Sequence, residues 1–150
     1  MQRHVLGTPV GGIELWIDDG RLRALNLTRR TATSDPVDGP IVAQLERYFA
    51  GEPVRFMDVA LDLRGRTDFE QRVYGATRMI PFGNVASHGQ VARAIGIPSA
   101  ARAVGQARRN NPVAIVSPCH RVIASDGSLG GFSAGLEWKR KLLRHERVLR

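Results

Sequence analysis

Apolar positions in the first part of the chain alternate, and later ones recur every three to four residues. Ile13-Glu14-Leu15-Trp16-Ile17 alternates, Asp18-Asp19-Gly20 is a turn, and Leu22-Arg23-Ala24-Leu25-Asn26-Leu27 follows. With the turn chemistry of Gly7-Thr8-Pro9-Val10-Gly11-Gly12 ahead of them, these residues predict strands. Thr31 to Pro40 reads as a loop. Ile41, Val42, Leu45, Tyr48 and Phe49 then fall on one helical face, with Gly51 as the stop. Val54 to Leu63 alternates again and predicts a further strand. Residues 1–63 therefore read as a small sheet carrying a helix.

Beyond Arg64-Gly65-Arg66 the pattern becomes one of short helices. Thr67 with Glu70 forms a capping box, and Phe69, Val73, Tyr74, Met79 and Ile80 supply an apolar face as far as Pro81. Ser87 with Gln90 forms a second box ahead of Gly89 to Ile95, and Gly96 breaks that helix. Pro98-Ser99 opens a third, Ala100 to Arg108. Two short helices joined by a tight Gly-containing turn make either a DNA-binding helix-turn-helix or an ordinary helical hairpin. The second helix is smooth: Ala100, Ala101, Ala103 and Gly105 cannot read base edges, and Arg102 is its one long central side chain. Such a surface suits a narrow groove better than sequence readout in the major groove. Arg108 and Arg109 at its end favour both the helix dipole and phosphates. Leu136 to Leu149 predicts a closing helix with Leu142 and Leu143 inward, carrying Glu146.

A chain of 150 residues suits one domain or two lobes sharing a core, with the change of character placing the boundary between 1–63 and 64–150. With 43% hydrophobic and 24% charged residues the composition is globular. Its one cysteine excludes an internal disulfide and fits a reducing compartment. No apolar run approaches the ~20 residues of a membrane helix, and no signal-peptide core follows Met1-Gln2-Arg3-His4-Val5. The expectation is a cytoplasmic protein. Charge adds more. Residues 1–66 balance nine Arg against nine Asp and Glu, whereas residues 67–150 set thirteen Arg and Lys against five. The net charge of +8 thus sits in the second part, as a phosphate-rich partner requires, or as a solvated basic surface would also show.

Val113-Ala114-Ile115-Val116, a short apolar run after Asn110-Asn111-Pro112, delivers Ser117-Pro118-Cys119-His120-Arg121-Val122. A lone cysteine is often a small buried hydrophobe. As a nucleophile it needs a base or a positive environment. His120 is adjacent in sequence, and a carboxylate at Glu146 could orient it, giving a Cys–His–Glu arrangement in which imidazole and carboxylate make the sulfur anionic. Asp126 to Gly135 is a Gly-rich loop able to approach a planar ligand closely.

Pro118-Cys119-His120-Arg121-Val122 resembles the active-site motif of the O6-alkylguanine-DNA alkyltransferases, the methylated-DNA–protein-cysteine methyltransferases. Ala100 to Gly105 resembles the family's recognition helix, Asn111-Pro112 its asparagine hinge, and Ser133, Gly135 and His145-Glu146 fall in family positions. The first lobe is similar too, from Thr8-Pro9-Val10-Gly11 through Tyr48-Phe49-Ala50-Gly51 to Leu61-Asp62-Leu63. The resemblance implies an α+β fold: a small ribonuclease H-like lobe packed on a helix-turn-helix lobe. It implies a monomer that binds the minor groove of double-stranded DNA, flips the alkylated guanine into a pocket and acts once, with no cofactor and no metal. It also assigns roles. Cys119 attacks the alkyl carbon, and His120, oriented by Glu146, takes the thiol proton through a water. Asn111 supports the pocket loop. The carbonyls of Cys119 and Val122 accept the guanine amino group, and Ser133 donates to O6. Arg102 is the arginine finger, with Ala100, Ala101, Ala103, Gly105 and Arg109 along the DNA.

This chain departs from the pattern at three pocket positions. His88 stands where the family has a tyrosine, Phe132 where a tyrosine is common, and Ala134 in place of a frequent glycine. Three competing classes fit the sequence less well. A non-catalytic lesion binder typically has Trp at the position of Cys119. A transcriptional regulator would read bases with the helix that is smooth here, and a Cys–His peptidase leaves the basic half unexplained.

Overall fold

The computed structural model describes residues 1–29, 39–132 and 134–150. Strands β1 (Gln2–Thr8), β2 (Gly11–Asp18) and β3 (Arg21–Thr28) form an antiparallel sheet in the order β1-β2-β3, with Leu15 opposite both His4 and Leu25. Alternation puts Ile13 and Leu15 on one buried face, and the irregular register between Trp16 and Ile17 brings Leu22 to the same face as Leu25. Helix α1 (Pro40–Phe49) starts with proline at its first turn and lays Val42, Leu45, Tyr48 and Phe49 on that face. The predicted loop from Thr31 lies outside the described residues up to position 38, and Pro40 already belongs to α1.

The strand expected from Val54 to Leu63 does not form. Two hydrogen bonds, Leu22 N to Ala60 O and Asp62 N to Leu22 O, make only an isolated bridge to Leu61. Phe56 takes a left-handed conformation (φ 58°), which breaks the pleat while Val54 and Phe56 still bury their side chains. Alternation here recorded burial, not pairing.

Both capping boxes close as the sequence predicts. Thr67 and Glu70 bond reciprocally at the start of α2 (Asp68–Arg78), and Ser87 and Gln90 do so at α3 (His88–Ala94). A 3-10 turn at Pro98–Ala100 leads into α4 (Ala101–Arg109). Helices α2, α3 and α4 enclose a second cluster around Val73, Tyr74, Val91, Ala92, Val104 and Ala107. A two-stranded parallel pairing of β4 (Ala86–Ser87) with β5 (Val122–Ile123), invisible in the pattern, sets the start of α3 beside the segment that follows Cys119. Helix α5 (Leu136–His145) buries Leu142 and Leu143 completely but stops short of Leu149, because Arg147 turns to φ 64°.

The architecture is thus mixed α+β, with two small sheets and five α-helices among the described residues. The first core cluster draws on both halves of the chain: Val113, Ile115, Val116 and Leu142 pack with the sheet and α1. The free edge of β3 holds the segment before Cys119 through Leu25 N to Pro112 O (2.9 Å) and Ala114 N to Leu25 O (3.2 Å). At the β1–β2 turn, Gly11 (φ 144°) lies against the Trp138 indole, where a Cβ would clash with the ring edge. Gly11→Ala is therefore expected to destabilise the protein by about 2–4 kcal/mol, combining backbone strain with overpacking, as read from the urea midpoint.

Candidate active site

Asn111 shapes the approach to the cysteine. Its Oδ1 accepts from Val113 N (3.1 Å) and its Nδ2 donates to Ser117 O (2.8 Å), stapling both ends of a loop in which Ile115 is left-handed (φ 70°). Cys119 to Arg121 then form a 3-10 turn, anchored by Cys119 N to Ser117 O (2.8 Å) and Arg121 N to Pro118 O (2.9 Å). Cys119 is 1% exposed. Burial pushes its thiol up to about 12, opposed by the Arg108 guanidinium, the Ser117 hydroxyl, the Asn111 amide and the Lys139 ammonium. The expectation of an anionic sulfur is corrected on this point. At neutral pH the resting thiol is protonated, because desolvation of a thiolate outweighs the surrounding cations.

His120 and Glu146, 26 positions apart, meet in the interior. His120 Nε2 lies 2.5 Å from Glu146 Oε2, and both side chains are fully buried. Arg121 adds Nε to Oε1 (2.7 Å) and Nη2 to Oε2 (3.0 Å). Tyr48 adds its hydroxyl to Oε2 (2.5 Å). Burial raises the carboxyl's affinity for a proton, but the hydrogen bonds from His120 and Arg121 and the Arg121 charge prevail and hold it below its ordinary value. An ionised carboxylate only accepts, so Nε2 carries the imidazole proton and Nδ1 offers its lone pair. That Nδ1 has no hydrogen-bond partner among the described residues. Burial keeps the ring below its ordinary value, with Glu146 pulling the other way, so the imidazole is neutral and basic at Nδ1. Arg121 also donates Nη1 to Ile80 O (2.7 Å), fixing the turn to the end of α2.

A third buried group had no reading in the sequence. Lys139 of α5 is fully buried and donates Nζ to the carbonyls of Val122 (2.7 Å), Leu129 and Gly131 (3.4 Å). It ties β5 to the Gly-rich loop, and burial together with Arg108 lowers its ammonium to about 8. The signal was available, since position 139 lies three and four residues before the inward pair Leu142 and Leu143. Arg108, expected to face phosphates, is instead 3% exposed and donates to Gly131 O. Position 108 lies one helical turn beyond Val104, on the packed side of α4.

The remaining expected residues divide between interior and surface. The His88 ring sits between Gly105 of α4 and Gly130 of the loop, with Nε2 buried and unpartnered among the described residues. Burial, then Arg108, Lys139 and Arg109, lower its basicity, so it is a neutral ring. Val122 is buried, with its carbonyl taken by Lys139 on one lone pair. Phe132 packs partly buried against the first core cluster, and Ser133 lies outside the described residues. Along α4, Arg102, Ala103 and Arg109 are exposed, while Ala100, Ala101 and Gly105 are half-buried. No cluster of three or more metal-ligating side chains, and no helix long and apolar enough to cross a membrane, occurs among the described residues.

This geometry coincides with a strong likeness to known proteins. Residues 68–148 match the family described as 6-O-methylguanine DNA methyltransferase, DNA binding domain. The chain is 55% identical, over 96% of its length and 91% of the relative's, to the methylated-DNA–protein-cysteine methyltransferase of Mycobacterium bovis. The chain belongs to this family. The methyltransferase of Methanosarcina acetivorans is 38% identical over 97% of the chain and 98% of its own length. A crystal structure of Mycobacterium tuberculosis OGT in complex with DNA superposes with a TM-score of 0.82 at 41% identity, covering 98% of this chain and 93% of that one. The methyltransferase motif around Cys119 therefore stands in a fold the family shares along its whole length.

Two outcomes follow. Cys119 in the native protein at pH 7.5 is expected to react with iodoacetamide at least about 100-fold more slowly than in the urea-unfolded chain, since only the thiolate is nucleophilic. Lys139 titrates near 8 when folded, against 10.5 unfolded, so between those values the unfolded chain binds more protons and stability rises with pH. Unfolding curves of the parent and Lys139→Met should diverge in the parent's favour by up to about 3 kcal/mol from pH 8 to 10.5. Cys119, whose raised value costs stability as pH rises from 9 to 12, is retained in both proteins.

Proposed function

We propose that this chain is a DNA-repair protein that transfers the alkyl group of an O6-alkylguanine, mainly O6-methylguanine, irreversibly from double-stranded DNA to its own Cys119. The observation that carries the reading is the buried Cys119-His120 pair whose imidazole is bonded to an ionised Glu146, in a chain of this family. The transfer is a single displacement. The sulfur forms a bond to the alkyl carbon as the carbon–O6 bond breaks. The thiol proton passes through a water to Nδ1 of His120, and the displaced guanine anion takes a proton from water. The thioether is not hydrolysed, so each molecule acts once, and neither cofactor nor metal is part of the scheme.

The protonated resting thiol fits this scheme. Arg108 and Lys139 already favour the thiolate electrostatically, and a bound base that supplies the water contact completes the route for the proton. Asn111 holds the loop that presents Cys119. The pocket is formed by the carbonyls of Cys119 and Val122, by Phe132 and His88, and by Ser133 as donor to O6. His88, neutral and wedged between two glycines, replaces the usual tyrosine as a ring with one available polar atom. In this reading α3 and α4 are a helix-turn-helix that enters the minor groove. Arg102 fills the gap left by the flipped guanine, and Ala100, Ala101, Ala103, Gly105 and Arg109 line the duplex. The lobes divide at 63/64, the first being ribonuclease H-like, and the shared core cluster supports their acting as one body. The protein works as a cytoplasmic monomer, a setting that suits its lone thiol.

Incubation with a duplex bearing labelled O6-methylguanine is expected to place one label per molecule on Cys119; no label on Cys119 overturns the reading. Arg102→Ala should slow repair of the duplex while leaving reaction with free O6-benzylguanine intact. Duplex affinity should fall by roughly 0.9 log unit per log unit of salt for each phosphate neutralised.

A further inference from the structure

Tyr48 lies on α1, in the lobe that carries none of the expected site residues, yet its ring is fully buried against the second half of the chain. The hydroxyl donates to Glu146 Oε2 at 2.5 Å, the same oxygen that His120 Nε2 meets at 2.5 Å. Its backbone is held as well, since His145 Nε2 donates to Tyr48 O at 2.7 Å. Successive residues at the end of α5 thus grip Tyr48 at both ends. The ring cannot swing away: Phe49 and His145 lie with centroids at 5.0 Å, Phe56 at 5.8 Å and Phe82 at 5.9 Å.

We propose that Tyr48 is a positioning residue for alkyl transfer, its phenol fixing the carboxylate that orients His120, so that the first lobe completes the active site. This rests on the function proposed above. Arg121 binds both carboxylate oxygens, and with that ion pair alone the carboxylate is drawn towards the guanidinium. The phenol adds a further fixed donor on the oxygen that meets Nε2. Burial, reinforced by Glu146, keeps the phenol protonated throughout the working range, so it donates whenever the imidazole acts. Removing that donor leaves more of the carboxylate's charge directed at His120, which strengthens the imidazole as a base while loosening its orientation. The charged groups facing His120 are Lys139 from α5, Glu146 at the cap of that helix and Arg121 from its own turn, and none of them changes in the substitution.

The test is the pH profile of single-turnover transfer from labelled O6-methylguanine duplex to Cys119. Tyr48→Phe is expected to lower the plateau rate about 10-fold and to move the acidic limb upward by about 0.5 pH unit, with the label still reaching one per molecule. Site-specific 3-fluorotyrosine at position 48, a more acidic phenol and stronger donor, should move the limb downward. A Tyr48→Phe protein with the parent's plateau and limb, whatever its thermal midpoint, overturns the proposal. Should that variant not fold, an unmoved limb in the fluorotyrosine protein overturns it equally. A parent protein that transfers no label defeats the functional reading and is told apart from both.

Discussion

A carboxylate ionised in a fully buried site is the constraint around which this molecule is arranged. Desolvating an isolated carboxylate costs several kcal/mol even after relaxation, so Glu146 is tolerable only with its oxygens saturated by donors. Those donors come from different parts of the chain: Tyr48 from α1, and His120 and Arg121 from the turn that begins with Cys119. The partners converge only if the sheet, the cysteine segment and α5 are all in place. The ion cluster therefore makes the chemistry conditional on the complete fold. Arg121 and Tyr48 hold the carboxylate, the carboxylate holds the imidazole in one tautomer, and the imidazole presents a bare nitrogen.

The basic half of the chain serves two purposes. Arg108, Arg121 and Lys139 turn inward, where they bind carbonyls or Glu146, and Arg108 and Lys139 set positive potential around a protonated thiol. Arg102 and Arg109 stay on the outside of α4. A net charge counted along the sequence cannot separate these uses, because burial decides whether a cation attracts a distant phosphate or stabilises a nearby anion. Arg108 illustrates the difference: adjacent in sequence to the exposed Arg109, it is buried with its guanidinium on the Gly131 carbonyl.

Patterns that depend on neighbours along the chain were legible. The capping boxes at Thr67 and Ser87 closed as written, the strands around Ile13 and Leu25 paired, and Leu142 and Leu143 turned inward. Local alternation misled where burial and pairing part company. Val54 and Phe56 bury their side chains with no ladder, and the single left-handed residue that makes this possible leaves no trace in the hydropathy pattern. The bonded pair of His120 and Glu146 matched expectation. Lys139 did not, although its position on the inward stripe of α5 was there to be read. A buried lysine looks like any surface lysine until its three carbonyl partners are assembled around it.

By itself the sequence determined the kinds of groups available and their local settings: one thiol, an adjacent imidazole, an asparagine before a proline, a smooth helix with one long arginine, and a cationic second half. Those are properties of composition and of spacing within a turn or two, where backbone geometry alone puts side chains on a common face. The tertiary structure decided which groups are charged and which meet. It kept the thiol protonated, kept Glu146 ionised, brought Tyr48 to it across 98 positions, and turned Arg108 and Lys139 inward. Protonation and long-range contact both depend on desolvation and on partners distant in the chain, and these exist only once the two halves have closed on a shared core.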